Sequence, residues 1–194
     1  MDNSTPSIFS IGLKYGLISA VIGLVIYFGL YFIDPGMIYT MVWKVMLVGL
    51  IIGGVIMFFA CKEYREDNND AISFGTAFKL SLLVYMISAF VNISSGQIMK
   101  VIDPDLAEIE KQFSIETSVS MMERFGTPPD VIDEQIDQIE ADLENQNPIM
   151  NIFWALVSSL VMGSIIALIV AAIAKRKPEI DLFGEAQNHP PQME

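Results

Sequence analysis

The sequence predicts an all-α polytopic membrane protein, a bundle of four transmembrane helices with an acidic extramembrane helical hairpin between spans three and four. Three observations indicate this class. Hydrophobic residues make up 53% of the chain and charged residues only 18%, against typical values of about 45–50% and about 25%. The apolar residues are gathered into four runs, and most of the net charge of -12 lies in one segment.

Each apolar run is long enough to cross a bilayer as a helix, since a hydrocarbon core of about 30 Å needs about 20 helical residues. We predict spans at about residues 13–33, 41–61, 77–99 and 149–174. A secretory signal peptide is the competing interpretation of the first run. It is disfavoured because the run is longer than a signal core and no basic residue precedes Lys14.

The basic residues beside the spans predict the orientation, because cytoplasmic loops carry an excess of Lys and Arg. With the N-terminus in the cytoplasm, seven basic residues lie inside: Lys14, Lys62, Arg65, Lys79, Lys175, Arg176 and Lys177. Four lie outside: Lys44, Lys100, Lys111 and Arg124. Residues 1–8 and a disordered tail, 175–194, are therefore expected in the cytoplasm, and residues 100–148 on the opposite side.

Residues 100–148 form the acidic segment, with thirteen carboxylates and three basic side chains, a net charge of -10. Apolar residues at helical spacing predict two helices, and Gly126 followed by Pro128-Pro129 marks the break between them. One face of the second helix carries four apolar residues: Ile132, Ile136, Ile139 and Leu143. The segment is therefore expected to be a helical hairpin with an apolar seam.

The carboxylates of the second helix raise the question of a metal site. Calcium loops gather oxygen ligands in a compact turn with a glycine at its bend. Here the carboxylates fall along a straight helix, at Asp130, Asp133, Asp137, Glu140 and Glu144. We expect a solvated acidic face without a bound metal, and calcium binding is the alternative.

The third span carries a polar stripe at helical spacing: Ser81, Tyr85, Ser88, Asn92 and Ser95. Lipid cannot satisfy the Asn92 amide, so the stripe is expected to face protein or water. Hydrogen bonding between helices is the favoured interpretation, because no ionisable side chain lies at mid-membrane depth in any span. A polar pathway or ligand groove is the alternative.

Small residues predict where helices approach each other closely. Span four carries a packing strip at four-residue spacing: Ala155, Ser159, Gly163, Ala167 and Ala171. Two glycine pairs, Gly12 with Gly16 and Gly49 with Gly53, predict similar close packing in spans one and two.

Two short matches suggest an internal duplication. The segment 9–16 aligns without gaps on the segment 74–81, and each opens a span with a lysine. Ile33-Asp34-Pro35 and Ile102-Asp103-Pro104 end the same two spans. A parallel repeat of helical hairpins would explain both matches, and independent use of common span ends is the alternative.

Residues that carry catalysis are sparse. The only histidine, His189, lies in the polar tail, where it has no partners for a triad or a metal site. The only cysteine, Cys61, is expected to be a buried residue at a span end. No basic patch is present to bind nucleic acid. We therefore expect a non-enzymatic protein without a cofactor, a metal or a nucleic-acid partner.

Four short motifs, in order and spacing, carry a resemblance to a known family: Leu13-Lys14-Tyr15-Gly16, the segment 74–79, Ile102-Asp103-Pro104-Asp105 and Lys175-Arg176-Lys177-Pro178. With them the chain resembles the bacterial membrane-protein family called domain of unknown function 4199. The resemblance covers residues 9–178. It implies a four-span protein of the bacterial inner membrane and assigns no activity or functional residues.

Our leading functional hypothesis is a module that binds or organises a membrane or periplasmic protein through the acidic hairpin. A homo-oligomer is also plausible, given the strip of small residues in span four. A small transport or permeation protein that uses Ser88 and Asn92 is the alternative.

Overall fold

The computed structural model describes residues 7–144 and 147–176, and the side chains of Leu143 and Glu144 are not among what it describes. Of the predicted disordered tail, 175–194, the structure describes Lys175 and Arg176, and Arg176 exchanges backbone hydrogen bonds with Ile72. The rest of that tail, with Lys177 and His189, lies outside the described residues. Seven helices occupy the described ranges: α1 (Ile8–Ile33), α2 (Met37–Thr40), α3 (Val42–Glu66), α4 (Phe74–Ile102), α5 (Asp105–Arg124), α6 (Pro129–Glu144) and α7 (Pro148–Ala174).

Four of these helices are long and apolar enough to cross a membrane: α1, α3, α4 and α7. The chain is therefore a multi-pass membrane protein, and the predicted all-α four-span class is confirmed. Large apolar side chains such as Val25, Ile51 and Ile173 are exposed on the outside of these helices. Outward-facing side chains of this kind contact the lipid of the bilayer.

The helices α1 and α4 begin and end in the same way. Ser7 caps α1 by accepting a hydrogen bond from the Ser10 amide, and Ser73 caps α4 by accepting one from the Thr76 amide. Each helix ends at an aspartate in extended conformation, Asp34 or Asp103, which accepts a hydrogen bond from the amide two residues later. Both duplication and independent use of a common capping solution explain this match.

The helix α4 is at the centre of the bundle and contacts α1, α3 and α7. Its contacts with α1 and α7 are the most extensive, whereas α3 packs less extensively on each of its neighbours. We call the end of the bundle where α1 and α4 begin the closed end, and the opposite end, where α5 leaves the bundle, the hairpin end.

Burial within the spans is concentrated at the closed end. The large buried side chains there include Ile11, Met57, Leu80 and Val84, which belong to one core cluster. On α3 the buried residues are Ile56, Met57, Ala60 and Cys61, and none precedes residue 56. The four spans therefore pack tightly at the closed end, and α3 has no buried residue in its hairpin-end half.

Polar contacts join the helix ends at the closed end. Glu63 of α3 accepts hydrogen bonds from Lys14 Nζ at 2.6 Å and from the Tyr15 hydroxyl at 2.9 Å. In the loop that follows α3, Asp70 pairs with both Arg65 and Arg176, at 2.7 Å each. These contacts hold α1 to α3 and the end of α7 to the loop between α3 and α4.

Candidate functional site

The polar stripe of α4 is divided between the core and a cavity. Ser81 is fully buried at the closed end, where its Oγ lies 3.5 Å from Cys61 Sγ. Cys61 is itself buried, as predicted, and its thiol also contacts the Ala77 carbonyl oxygen at 3.7 Å. This end of the stripe therefore makes a hydrogen-bonded helix contact between α3 and α4.

The middle of the stripe lines a cavity of about 260 Å³ between α1, α3 and α4. Tyr85, Ser88 and Asn92 contribute its polar wall from α4, and Ser19 contributes from α1. The remaining wall is mostly apolar, with Ile22, Ile26, Met46 and Leu50 from α1 and α3, and with Ile166 contributed by α7. Ser95 is not part of this wall, and its hydroxyl donates to the Val91 carbonyl within α4.

Asn92 ties α4 to α1. Its Nδ2 donates to the Ser88 carbonyl at 2.9 Å and lies 3.5 Å from the Ala20 carbonyl of α1. The amide lies close to Gly23, where an added Cβ would be 2.5 Å from Asn92 Oδ1. The donor side of the amide is thus satisfied by backbone, and its acceptor oxygen accepts no hydrogen bond from any described residue.

Two further residues that line the cavity, Ser19 and Tyr85, carry hydroxyls that have no hydrogen-bonding partner within the described part of the chain. An unsatisfied polar group in the membrane interior costs free energy, because lipid offers no hydrogen bond. The cavity therefore collects three groups that need a hydrogen-bonding partner. No sequence pattern marked Ser19, which stands alone in an apolar run.

The packing strip of α7 is used mainly at the closed end. Ala167 and Ala171 are fully buried, and Gly163 receives the ring of Tyr85 so closely that a Cβ there would overlap it. Towards the hairpin end, Ala155 and Ser159 are only half-buried. The strip thus forms part of the contact between α4 and α7.

The glycines of α1 and α3 behave differently. Gly12 and Gly16 lie against α4, since an added Cβ would be 2.5 Å from Leu83 and 2.7 Å from Ile87, respectively. A Cβ at Gly49 or Gly53 would meet no atom within 4 Å. The prediction of close packing at Gly49 and Gly53 is therefore wrong. Both glycines line the cavity instead.

The base of the α5–α6 hairpin is anchored on the bundle. Leu106 of α5 is fully buried, and its carbonyl accepts a hydrogen bond from the Tyr39 hydroxyl at 3.3 Å. The Tyr39 ring packs on Phe113 at a centroid distance of 5.9 Å, and Lys100 of α4 pairs with Glu110 of α5. Burial raises the pKa of the Tyr39 hydroxyl well above its ordinary value, and the charge of Glu110 adds to this effect.

Beyond its base, the hairpin is held together by the packing of α6 on α5, since α6 contacts no helix other than α5 in the described ranges. Ile132 is buried in the seam, with Ile136 and Ile139 half-buried beside it. Lys111 pairs with Glu140 across the two helices at 3.8 Å. The turn contains Gly126 at a φ of 73°, a left-handed conformation that glycine adopts without strain.

The far end of the hairpin is apolar and exposed. The side chain of Phe125 is 83% exposed and that of Met121 is 58% exposed. On α6, Asp130, Asp133 and Asp137 are exposed, and the described His, Cys, Asp and Glu side chains include no group of three that could hold a metal ion. The hairpin therefore presents an apolar tip, which we define as Met121 and Phe125, on an acidic stem.

A family-level comparison matches most of the chain. The sequence pattern of the family described as "Protein of unknown function (DUF4199)" matches residues 14–176. A comparison with curated proteins and a comparison with solved structures each return no match.

Proposed function

Because the chain belongs to the DUF4199 family of proteins of unknown function, we propose its role from its geometry: it binds a second protein through the tip of the α5–α6 hairpin. In this proposal it is a non-enzymatic protein of the bacterial inner membrane. Both termini lie in the cytoplasm, and the hairpin lies in the periplasm.

The exposed tip is the observation that carries the proposal. Phe125 and Met121 keep most of their apolar surface in contact with solvent at the end of a hairpin whose seam buries Ile132. Exposed aromatic and methionine side chains are enriched in protein interfaces, where they become anchors once a partner covers them. The tip therefore supplies an anchor that the fold itself leaves uncovered.

The anchored base supports the same role. With Leu106 buried and Lys100 paired to Glu110, the hairpin leaves the bundle in a fixed direction. An α-helix of 20 residues, the length of α5, extends about 30 Å. A partner bound at the tip would thus lie about one small-domain diameter away from the four membrane spans of this chain.

Charge defines the chemistry of the partner. Residues 100–148 have a net charge of -10, so a basic surface with an apolar pocket is the complementary match. Opposite charges speed association and favour the correct partner, and salt screens them. The exposed carboxylates of α6 follow a straight helix, a distribution that favours electrostatic attraction over catalysis or ion capture.

Permeation along the α4 stripe has less support. Towards the closed end the space beside the stripe is filled by Leu80, Val84 and Met57, which are all buried. Ser81 and Ser95 use their hydroxyls in local contacts. A permeation route would require these side chains to separate.

Site-specific photo-crosslinking in cells tests the proposal. A photoreactive residue replaces Phe125, and a matched one replaces Val25, an exposed side chain on the lipid-facing surface of α1. We expect a discrete protein adduct from position 125. Its yield should fall in the Met121→Ser variant, and it should also fall when salt is added to isolated membranes. The crosslinked partner peptide should carry net positive charge.

Identical adducts from positions 125 and 25 would contradict the proposal, as would the absence of any protein adduct at 125. An adduct with twice the mass of the chain would show that the partner at the tip is a second copy of this protein and not a different one.

A further inference from the structure

The cavity between α1, α3 and α4 remains open because of two glycines that no helix packs against. Gly49 and Gly53 lie on the cavity wall, and a side chain at either position would enter free space. Gly12 and Gly16, in contrast, bring α1 close to α4. The absence of side chains at residues 49 and 53 therefore creates volume and not contact.

Residues that line the same cavity carry unpaired polar groups. The hydroxyls of Tyr85 and Ser19 and the acceptor oxygen of Asn92 have no partner among the described residues. Tyr85 is fixed in place because its ring lies against Gly163 of α7. Hydrogen-bond donors and acceptors therefore lie at a membrane depth where the lipid tails supply no hydrogen-bonding partner.

We infer that this cavity binds a small amphiphilic molecule with an apolar body and at least one hydroxyl group. The apolar body would contact Ile22, Ile26 and Leu50, and the hydroxyl would bond to the Tyr85 hydroxyl. The volume of about 260 Å³ is less than twice that of an engineered apolar cavity of about 150 Å³ that holds benzene. A bicyclic alcohol has a suitable size.

Water alone fills this space poorly. At about 30 Å³ per molecule, filling it takes about nine waters, each of which makes about three hydrogen bonds. The wall offers few polar groups and is otherwise apolar. A guest with one polar group matches this composition better than a water cluster does, and its binding is independent of the hairpin's proposed role.

Binding of 1-naphthol to the full chain in nanodiscs tests the inference, with empty nanodiscs as the reference for lipid partitioning. Gly53→Leu fills the cavity. Gly54→Leu is the matched control, because Gly54 is also free of contacts within 4 Å but lines the groove between α3 and α7. Both variants should fold, since neither side chain meets an atom at its Cβ.

We expect saturable binding by the wild type and by Gly54→Leu, and binding weaker by about ten-fold or more in Gly53→Leu. Tyr85→Phe should weaken 1-naphthol roughly three- to ten-fold and leave naphthalene unchanged, because only the alcohol uses the hydroxyl. Equal binding by the two glycine variants would overturn the inference. So would no saturable binding by the wild type, which would indicate a cavity that holds water or lipid only.

Discussion

Gly16 of α1 and Ile87 of α4 lie so close together that a Cβ on residue 16 would be 2.7 Å from the Cβ of Ile87. A Cβ is bonded directly to the backbone, so that of Ile87 cannot move aside without α4 moving as well, and branching at this atom also restricts the side-chain rotamers. The contact therefore fixes the distance between the two parallel helices at the closed end.

Gly16→Ala should destabilise the protein by about 1–3 kcal/mol, the usual cost of overpacking a well-packed core. Gly29→Ala is the matched control in the same helix, because a Cβ there would meet no atom within 4 Å. That control should be neutral or stabilising by up to about 1 kcal/mol. The measurement is detergent-induced unfolding of the purified variants, and equal stability of the two would refute the close contact.

Leu106→Ala should destabilise the base of the hairpin by about 2–5 kcal/mol, because the side chain is fully buried. Hydrogen exchange of the α5 amides reports this loss locally. Met121→Ala, on the exposed far end of the same helix, should change stability by less than about 0.5 kcal/mol. If both variants exchange like the wild type, the base is not anchored by Leu106.

The raised pKa of Tyr39 predicts a stability that depends on pH in the alkaline range. In the folded protein the Tyr39 hydroxyl stays protonated above about pH 10, where an ordinary tyrosine ionises. The unfolded chain loses that proton first, so the free energy of unfolding falls as the pH rises above about 10, by up to about 1.36 kcal/mol per pH unit. Below that pH this contribution is complete.

Tyr39→Phe should remove that part of the pH dependence, because phenylalanine has no proton to lose. The measurement is unfolding at a series of pH values between 8 and about 11, spanning the ordinary tyrosine pKa of about 10. Identical slopes for the variant and the wild type would show that Tyr39 ionises normally in the folded state.

Asp70→Asn should lower stability by about 1 kcal/mol, because it removes the charge that pairs with Arg65 and Arg176. Asparagine tolerates the positive φ of 55° at this position, so the loss reports the ion pairs and not the backbone. The loss should shrink at high salt. Asn69→Gly, with the neighbouring positive φ of 53°, is the control and should be neutral.

The spans could be predicted from the sequence because hydrophobic length alone decides them. The hairpin break followed from Gly126 and the prolines after it, residues whose backbone preferences act locally. The helix α2 was not predicted, since four residues between two spans give no periodic signal. Its role depends on Tyr39 reaching Leu106, a contact between residues far apart in the chain.

The cavity could not be predicted because the same residue type has opposite effects in two helices. Gly16 and Gly53 both sit in an apolar run with a second glycine four residues away. The packing of α1 on α4 decides that Gly16 makes a contact, and the packing of α3 against its neighbours decides that Gly53 leaves a space. Sequence spacing identified Tyr85, Ser88 and Asn92 as one face of α4, but not which helix would stand opposite them.

The buried residues of α3 all lie at one end of the helix. At the closed end it packs into the core through four residues, Ile56, Met57, Ala60 and Cys61, and it has no buried residue along the rest of its length. The other end of α3 is joined through α2 to the base of α5, where the Tyr39 hydroxyl donates a hydrogen bond to the Leu106 carbonyl. The Tyr39–Leu106 contact therefore connects the base of the hairpin to the end of α3 that has no buried residue and that carries Gly49 of the cavity wall.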